Sequence, residues 1–313
     1  MLSFLGRRLL YMVPTLFLIS VVSFAIIQLP PGDYLTALTS EMEAQGETVD
    51  NVQLEALRAR YGLGEPFHVQ YWKWISGIVS DLDFGQSFEW GRPVSTLLAD
   101  RLPLTVALAG ATLLFTWLVA LPIGIYSAVK QYSIGDYLAT TLGLLGLATP
   151  NFLLALLLMW IAFSTFGLSV GRPNAVTLAI AVVVLGTAGT AGLIRILRAN
   201  LLDELRKPYV VAARAQGLPE RRLLVKYPLR VAMNPFFSTI GWLLPGLVGG
   251  EVIVATVINL DTVGPLLLGA LQSQDMYLAG SIILILSALT VIGTLISDIA
   301  LAWLDPRVRL RYR

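Results

Sequence analysis

Few residues in this chain could carry covalent chemistry, and their spacing argues against it. The four lysines are Lys73, Lys130, Lys207 and Lys226; none follows a glycine, so no G-x-x-x-x-G-K-[ST] phosphate loop exists. His68 is the only histidine and cysteine is absent, which removes thiolate nucleophiles, disulfide frameworks and His/Cys metal clusters together. Neither G-x-S-x-G nor H-E-x-x-H occurs, so a hydrolase has none of its usual parts. His68 reads as a surface or packing residue. What remains with functional character is a charged stretch, 203–235, and four polar or helix-breaking residues at or near apolar runs: Pro150, Asn151, Glu251 and Asp261.

The chemistry open to 203–235 is docking. It reads DELRKPYVVAARAQGLPERRLLVKYPLRVAMNP and holds seven Lys/Arg against three Asp/Glu. Ala212, Ala213 and Ala215 are strong helix formers, and Gly217 stands where a helix beginning near Tyr209 would stop. Pro219 can then open a second short helix over 220–227. That helix puts Leu223, Leu224 and Tyr227 on one side and Arg221, Arg222 and Lys226 elsewhere. Two short helices with a glycine bend, left-handed or otherwise restricted at Gly217, make a rigid knob. A solvated basic loop that only fixes membrane orientation is the alternative.

The elements that must position this knob are membrane spans. Hydrophobic residues make up 56% of the 313 and charged ones 13%, with a mean hydropathy of +0.73, which marks an all-α polytopic membrane protein. The apolar runs are 9–29, 102–129, 137–166, 175–197, 236–258 and 276–303, each long enough to cross a bilayer. Residues 30–100 carry eleven Asp/Glu against four Lys/Arg, whereas 305–313 carry four Arg and one Asp. Six spans with cytoplasmic termini and an acidic outer segment follow. The organisation is therefore a first transmembrane helix (1–30), an extracytoplasmic segment (31–100) and a five-helix core (101–313) carrying the basic loop. Arg7 and Arg8 precede the first run, and Pro30-Pro31-Gly32-Asp33 offers no cleavage site, so that span is read as uncleaved.

Within these elements several residues carry expectations. In the outer segment 55–61 reads as helical, and Trp72, Trp74 and Trp90 suit either interfacial anchoring or docking of a soluble protein. Pro122 and Gly124 should loosen the second span. Pro150 and Asn151 should kink the third, as part of a passage or for packing. Gly186, Gly189 and Gly192 allow close helix approach in the fourth. Glu251 lies inside the fifth, where a carboxylate is costly and defaults to function unless it reaches water at the outer end. Asp298, near the inner boundary, has Arg307 or Arg309 as candidate partners.

The order Tyr209-Val-Val-Ala-Ala-Arg-Ala-Gln-Gly217, followed by Leu218-Pro-Glu220-Arg-Arg222, then Leu229-Arg230 and Asn234-Pro235, resembles the coupling loop of ABC-importer permeases of the oligopeptide/dipeptide/nickel branch. The opening RRLLYMVPTLFLISVVSFAIIQLPPGD, the segments DLDFGQS (81–87) and GRPV (91–94), and the closing LDPR (304–307) are similar to the same branch. Val211 replaces a glutamate common among importers, Leu229-Arg230 a common Leu-Pro, and Asp261-Thr262-Val263 a common Pro-Gly-Leu. The resemblance implies the type I ABC importer transmembrane fold, with a periplasmic insertion between spans 1 and 2. It implies that Tyr209, Ala212, Ala213, Arg214, Ala215, Gln216, Gly217, Leu218, Glu220, Arg221 and Arg222 couple to an ATPase subunit. Pro150, Asn151, Glu251 and Asp261 are candidates for the translocation path.

Also implied are a second homologous permease, two ATPase subunits that bind ATP and Mg, an extracytoplasmic binding protein, and a surrounding lipid bilayer. No cofactor or metal on this chain and no nucleic acid are expected. The setting is a bacterial or archaeal inner (plasma) membrane. The solute is a peptide, with oligosaccharides and nickel chelates as alternatives. From another class, a self-contained carrier or channel, or a membrane scaffold, stays open. A carrier would be expected to show matching broken helices and coupling-ion residues, of which Glu251 is nearly alone.

Overall fold

Every regular element among the described residues is helical, as apolar chain in lipid requires, because a helix satisfies its own backbone. The computed structural model describes residues 2–28, 65–87, 89–169 and 173–304. The helix expected at 55–61 and the arginine-rich tail lie outside them. In chain order the helices are α1 (Leu2–Gln28), α2 (Phe67–Asp81), α3 (Val94–Val129), α4 (Ile134–Ala148), α5 (Asn151–Phe166) and α6 (Ala175–Leu205). There follow α7 (Pro208–Ala215), α8 (Glu220–Lys226), α9 (Pro228–Ala232), α10 (Asn234–Ile258), α11 (Val263–Gln272) and α12 (Met276–Leu304). Four stretches are long and apolar enough to cross a membrane, Gly6–Ile26, Val94–Val129, Ala175–Leu205 and Tyr277–Leu304. Two helix pairs, α4 with α5 and Glu251–Ile258 with α11, raise the number to as many as six. α10 itself is continuous over 25 residues.

Several boundaries fall where the sequence puts them. α6 starts at Ala175 because Asn174 caps it: its side chain accepts the Val176 and Thr177 N–H groups at 2.8 and 3.0 Å, and Thr177 Oγ1 accepts the Asn174 N–H at 2.8 Å. α12 covers the sixth run almost residue for residue. The third run differs. It is two helices of 15 and 16 residues meeting at 105°, sharper than the kink expected. Thr149 precedes a proline and is held extended (ψ 123°), and Pro150 then stands at the start of α5, so the chain turns a corner there.

In the second run α3 continues for 36 residues through Pro103 and Pro122. Gly124 serves packing, since a Cβ there would lie 2.9 Å from Leu197 Cδ2. Of the three spaced glycines in α6, Gly186 is the one that close approach requires: a Cβ would meet Phe115 Cδ1 at 2.4 Å, whereas at Gly192 nothing lies within 4 Å. The partner of Asp298 is Arg8, at 3.0 Å, and not an arginine of the tail.

Contacts divide the chain into two compact units. The first comprises 1–9, 104–261 and 289–313. One of its cores joins Leu108, Ala155, Ile180, Val184, Val254 and Ile258; a second joins Ala120, Leu193, Leu197, Leu201, Ala232 and Phe236. Trp117 stands edge-on to Phe236 and Phe237, at 6.0 and 5.4 Å, and its Nε1–H donates to Thr239 Oγ1 at 3.3 Å.

The second unit comprises 10–103 and 262–288. Phe24 packs on Phe67, Tyr71 and Trp74 at 5.3, 5.7 and 5.4 Å. Trp74 is therefore buried core, neither an interfacial anchor nor a docking residue, whereas Trp72 and Trp90 are exposed. His68 is exposed, as expected. The motif at 81–94 forms a clip: Gln86 bridges to Pro93, and buried Ser87 donates to buried Asp275 at 2.5 Å. Asp275 also accepts the Leu278 N–H, which caps the start of α12.

Candidate coupling site

The site is built on the end of α6. Arg198 reaches α4, where its Nε and Nη2 donate to the two carboxylate oxygens of Asp136 at 2.9 and 2.8 Å. Asp136 is 3% exposed and also accepts the Tyr132 N–H at 2.9 Å. Such a two-pronged arginine–carboxylate pair fixes geometry as well as charge. Two turns further on, Glu204 is buried although it lies in a charged run. Its two oxygens accept the Lys207 ammonium and the Tyr209 hydroxyl, the latter at 2.6 Å. Tyr209 is a residue of α7, so this carboxylate fastens α7 to the helix that precedes it.

α7 is the first helix of the expected knob, starting at Pro208 with Val210 fully buried beneath it. Tyr209, Val211, Ala212, Arg214, Ala215 and Gln216 are exposed, and Ala213 is half-buried. The end of α7 is a Schellman turn. Gly217 has φ +81°, its N–H donates to Arg214 O at 3.0 Å, and the Leu218 N–H donates to Ala213 O at 3.4 Å. Of the left-handed or otherwise restricted conformations expected at Gly217, the left-handed one is present.

Across that turn Arg214 grips Glu220 through Nε to Oε1 and Nη2 to Oε2. Hydrogen bonding to Arg214 holds the Glu220 carboxyl below the ordinary carboxylate range. Arg214 is thus engaged within the knob, whereas Arg221 and Arg222 have no ion pair among the described residues. α8 buries Leu223 and half-buries Leu224 and Tyr227, leaving Arg221, Arg222 and Lys226 outward, as the periodicity predicts. Pro219 lies just before the helix (ψ 136°) and not within it, and Pro228 ends α8 one residue early and starts α9, an element the sequence reading lacks.

Two concavities adjoin the knob. One, of about 880 Å³, is an open groove lined by Pro219, Arg221, Arg222, Val225, Lys226 and Arg230. The other, of about 680 Å³, lies between the end of α6 and the start of α10. It presents Asn200, Asp203, Glu204, Asn234, Ser238 and Thr239 alongside Leu193 and Ile196.

The candidate path residues are placed separately. Pro150 and Asn151 form the corner between α4 and α5. Glu251 is 2% exposed, on the same face of α10 as buried Val254, Ala255 and Ile258, so it does not reach solvent at the helix end as one reading allowed. Asp261 is exposed, after a turn in which Asn259 takes φ +59° and the Leu260 N–H donates to Ala255 O. Glu204, Lys207, Asp136 and Arg198 were not singled out as a site by sequence. An acid five residues before Tyr209, in the charged stretch that follows the fourth span, was the available signal for Glu204.

Known proteins match over the whole length. Residues 120–310 match the family described as binding-protein-dependent transport system inner membrane component, and 1–109 match its N-terminal membrane component. The chain is 33% identical over 321 residues to the oligopeptide transport system permease protein AppB of Bacillus subtilis, covering 98% of this chain and 99% of that protein. It is 30% identical over 314 residues to the oligopeptide transport system permease protein OppB of Haemophilus influenzae, and 30% over 313 to the glutathione transport system permease protein GsiC of Salmonella paratyphi A. Each of these last two alignments covers 99% of this chain and all of the relative. With helices apolar enough for several crossings, the chain belongs to the binding-protein-dependent transport system inner membrane components, as a multi-pass permease subunit of an ABC importer of the oligopeptide branch.

Proposed function

We propose that this chain forms half of a passage for peptides or similar small solutes in a bacterial plasma membrane, driven by ATP hydrolysed on separate subunits. The observation that carries the reading is the fastening of α7 to α6. Glu204 holds Tyr209, Val210 is buried below, and the Gly217 turn with the Arg214–Glu220 pair braces α7 against α8. A short helix so braced conveys force instead of absorbing it. Its outward residues, Tyr209, Ala212, Ala215 and Gln216, would seat in the ATPase subunit. ATP and Mg would be bound there, and closure of the ATPase pair would displace α7 and with it the end of α6. The passage would then alternate between two states, biased by ATP on one side and by the loaded binding protein on the other. The relatives' names supply the peptide class.

The test is purification of a tagged copy from native membranes in mild detergent, with every co-purifying chain identified by mass spectrometry. A second permease and two copies of ATPase subunit are expected. The chain alone, stable and monodisperse, would overturn the proposal in favour of a self-contained carrier or channel.

A further inference from the structure

α8 has a second face that the lever reading does not use. Leu224 of α8 and Leu229 of α9 pack on the cluster that contains Leu197, Leu201, Ala232 and Phe236. The side away from buried Leu223 opens into the groove of about 880 Å³, where Arg221, Arg222, Lys226 and Arg230 gather around Val225, itself 60% exposed. Glu220, the acid beside them in sequence, is engaged by Arg214.

The depth of this groove follows from α6. Its 31 residues give a rod about 46 Å long against a hydrocarbon core of about 30 Å. Arg198, paired with Asp136, marks the exit from hydrocarbon, and exposed Tyr132 and Tyr137 flank Asp136 in sequence as interfacial aromatics do. Leu197 and Leu201 lie on either side of that level, in the cluster that Leu224 and Leu229 pack against, and it is α9 that packs along α6. α9, which carries Arg230, and α8 packed on it would then stand at headgroup depth.

The geometry points to a binding site for the phosphodiester headgroup of an anionic phospholipid. Arginine forks match phosphate oxygens, lysine adds a point charge, and an exposed valine among them suits the boundary between headgroup and acyl chain. A cluster of four cations immediately beyond a span is the arrangement that attracts anionic lipid. Arg221 and Arg222 are shared with the candidate coupling residues, whereas Lys226 and Arg230 are not, so the test neutralises those two.

The test uses the chain purified with its native partner subunits and placed in nanodiscs of phosphatidylcholine, with or without phosphatidylglycerol. Native mass spectrometry counts the phosphatidylglycerol retained, and thermal unfolding is followed in both lipids. Lys226→Gln with Arg230→Gln is expected to lower retention about fivefold for each cation removed, and to abolish any gain in Tm that phosphatidylglycerol gives the wild type. Lys226→Arg with Arg230→Lys should retain the lipid. Should the neutralised pair insert poorly, a salt titration of the wild type serves: retention must fall as ionic strength rises. Equal retention by wild type and the neutralised pair, or retention by wild type that is indifferent to salt, would overturn the assignment. So would loss of ATPase subunits from the neutralised pair in both lipids alike, which would give the groove to an acidic face of a partner.

Discussion

Substitution of Gly217 separates backbone conformation from contact. A Cβ at this position meets nothing within 4 Å in this chain, so any cost inside the subunit comes from φ +81° alone. Placing an L-residue in the left-handed region costs about 1–2 kcal/mol, and a β-branched side chain stands at the upper end. Asparagine tolerates the region and should cost a few tenths of a kcal/mol. With about 1.4 kcal/mol to a factor of ten, Gly217→Val lowers the population of the bent knob roughly 5–30-fold relative to alternatives, and Gly217→Asn barely alters it. The assay is the complete transporter in proteoliposomes, with ATP hydrolysed and solute accumulated measured together. Membrane insertion should be normal for both variants, with the ratio of hydrolysis to uptake raised for Gly217→Val only. If Gly217→Val couples as well as wild type, the bend transmits nothing and the lever argument is wrong. If valine and asparagine impair coupling equally, the fault is a side chain pressed against a partner, and the φ argument fails.

Glu204→Gln weakens one charge-assisted bond and removes another, each worth about 1.5–3 kcal/mol, so protease should cut 205–219 faster than in wild type while the spans stay intact. Arg198→Leu strands the Asp136 carboxylate, and about 3–5 kcal/mol of stability should be lost. A detergent unfolding scan measures it, and Arg198→Leu with Asp136→Leu should recover most of the loss. The Glu220 carboxyl is held low by Arg214, so its contribution is present above the ordinary carboxylate pKa and fades as pH falls through the lowered one. Protection of the Gly217 turn should therefore weaken only in acid, and Glu220→Gln should be weak at every pH. Asp275→Ala should uncap α12 and free the 81–94 clip, which hydrogen exchange at Leu278 and Ser87 reports.

The spans and the knob were legible because both rest on local signals. Asn174, Gly217 and the Leu223/Leu224 side of α8 act through neighbours within a turn or so, and the chain encodes them directly. What escaped depends on distance. That Glu204 is buried and gripped, that Arg198 finds Asp136, and that Asp298 finds Arg8 are pairings across separate helices, which composition and periodicity do not register. Pro150 was visible as a breaker, but a proline alone does not set 105°; the whole of α5 packing beside Ile180 and Val254 does. Trp74 misled because an aromatic residue near a membrane surface reads alike whether it faces headgroups or Phe24.

The Asp136–Arg198 pair divides α6 into unequal arms. From Arg198 to Leu205 is about 10 Å of helix, and from Arg198 back to Ala175 about 35 Å. A rigid rod pinned there has a gear ratio near three, so about 1 Å of travel at the Glu204 end becomes about 3 Å at the far end. The amplitude of the stroke would then be set less by the ATPase than by where along α6 this one arginine stands.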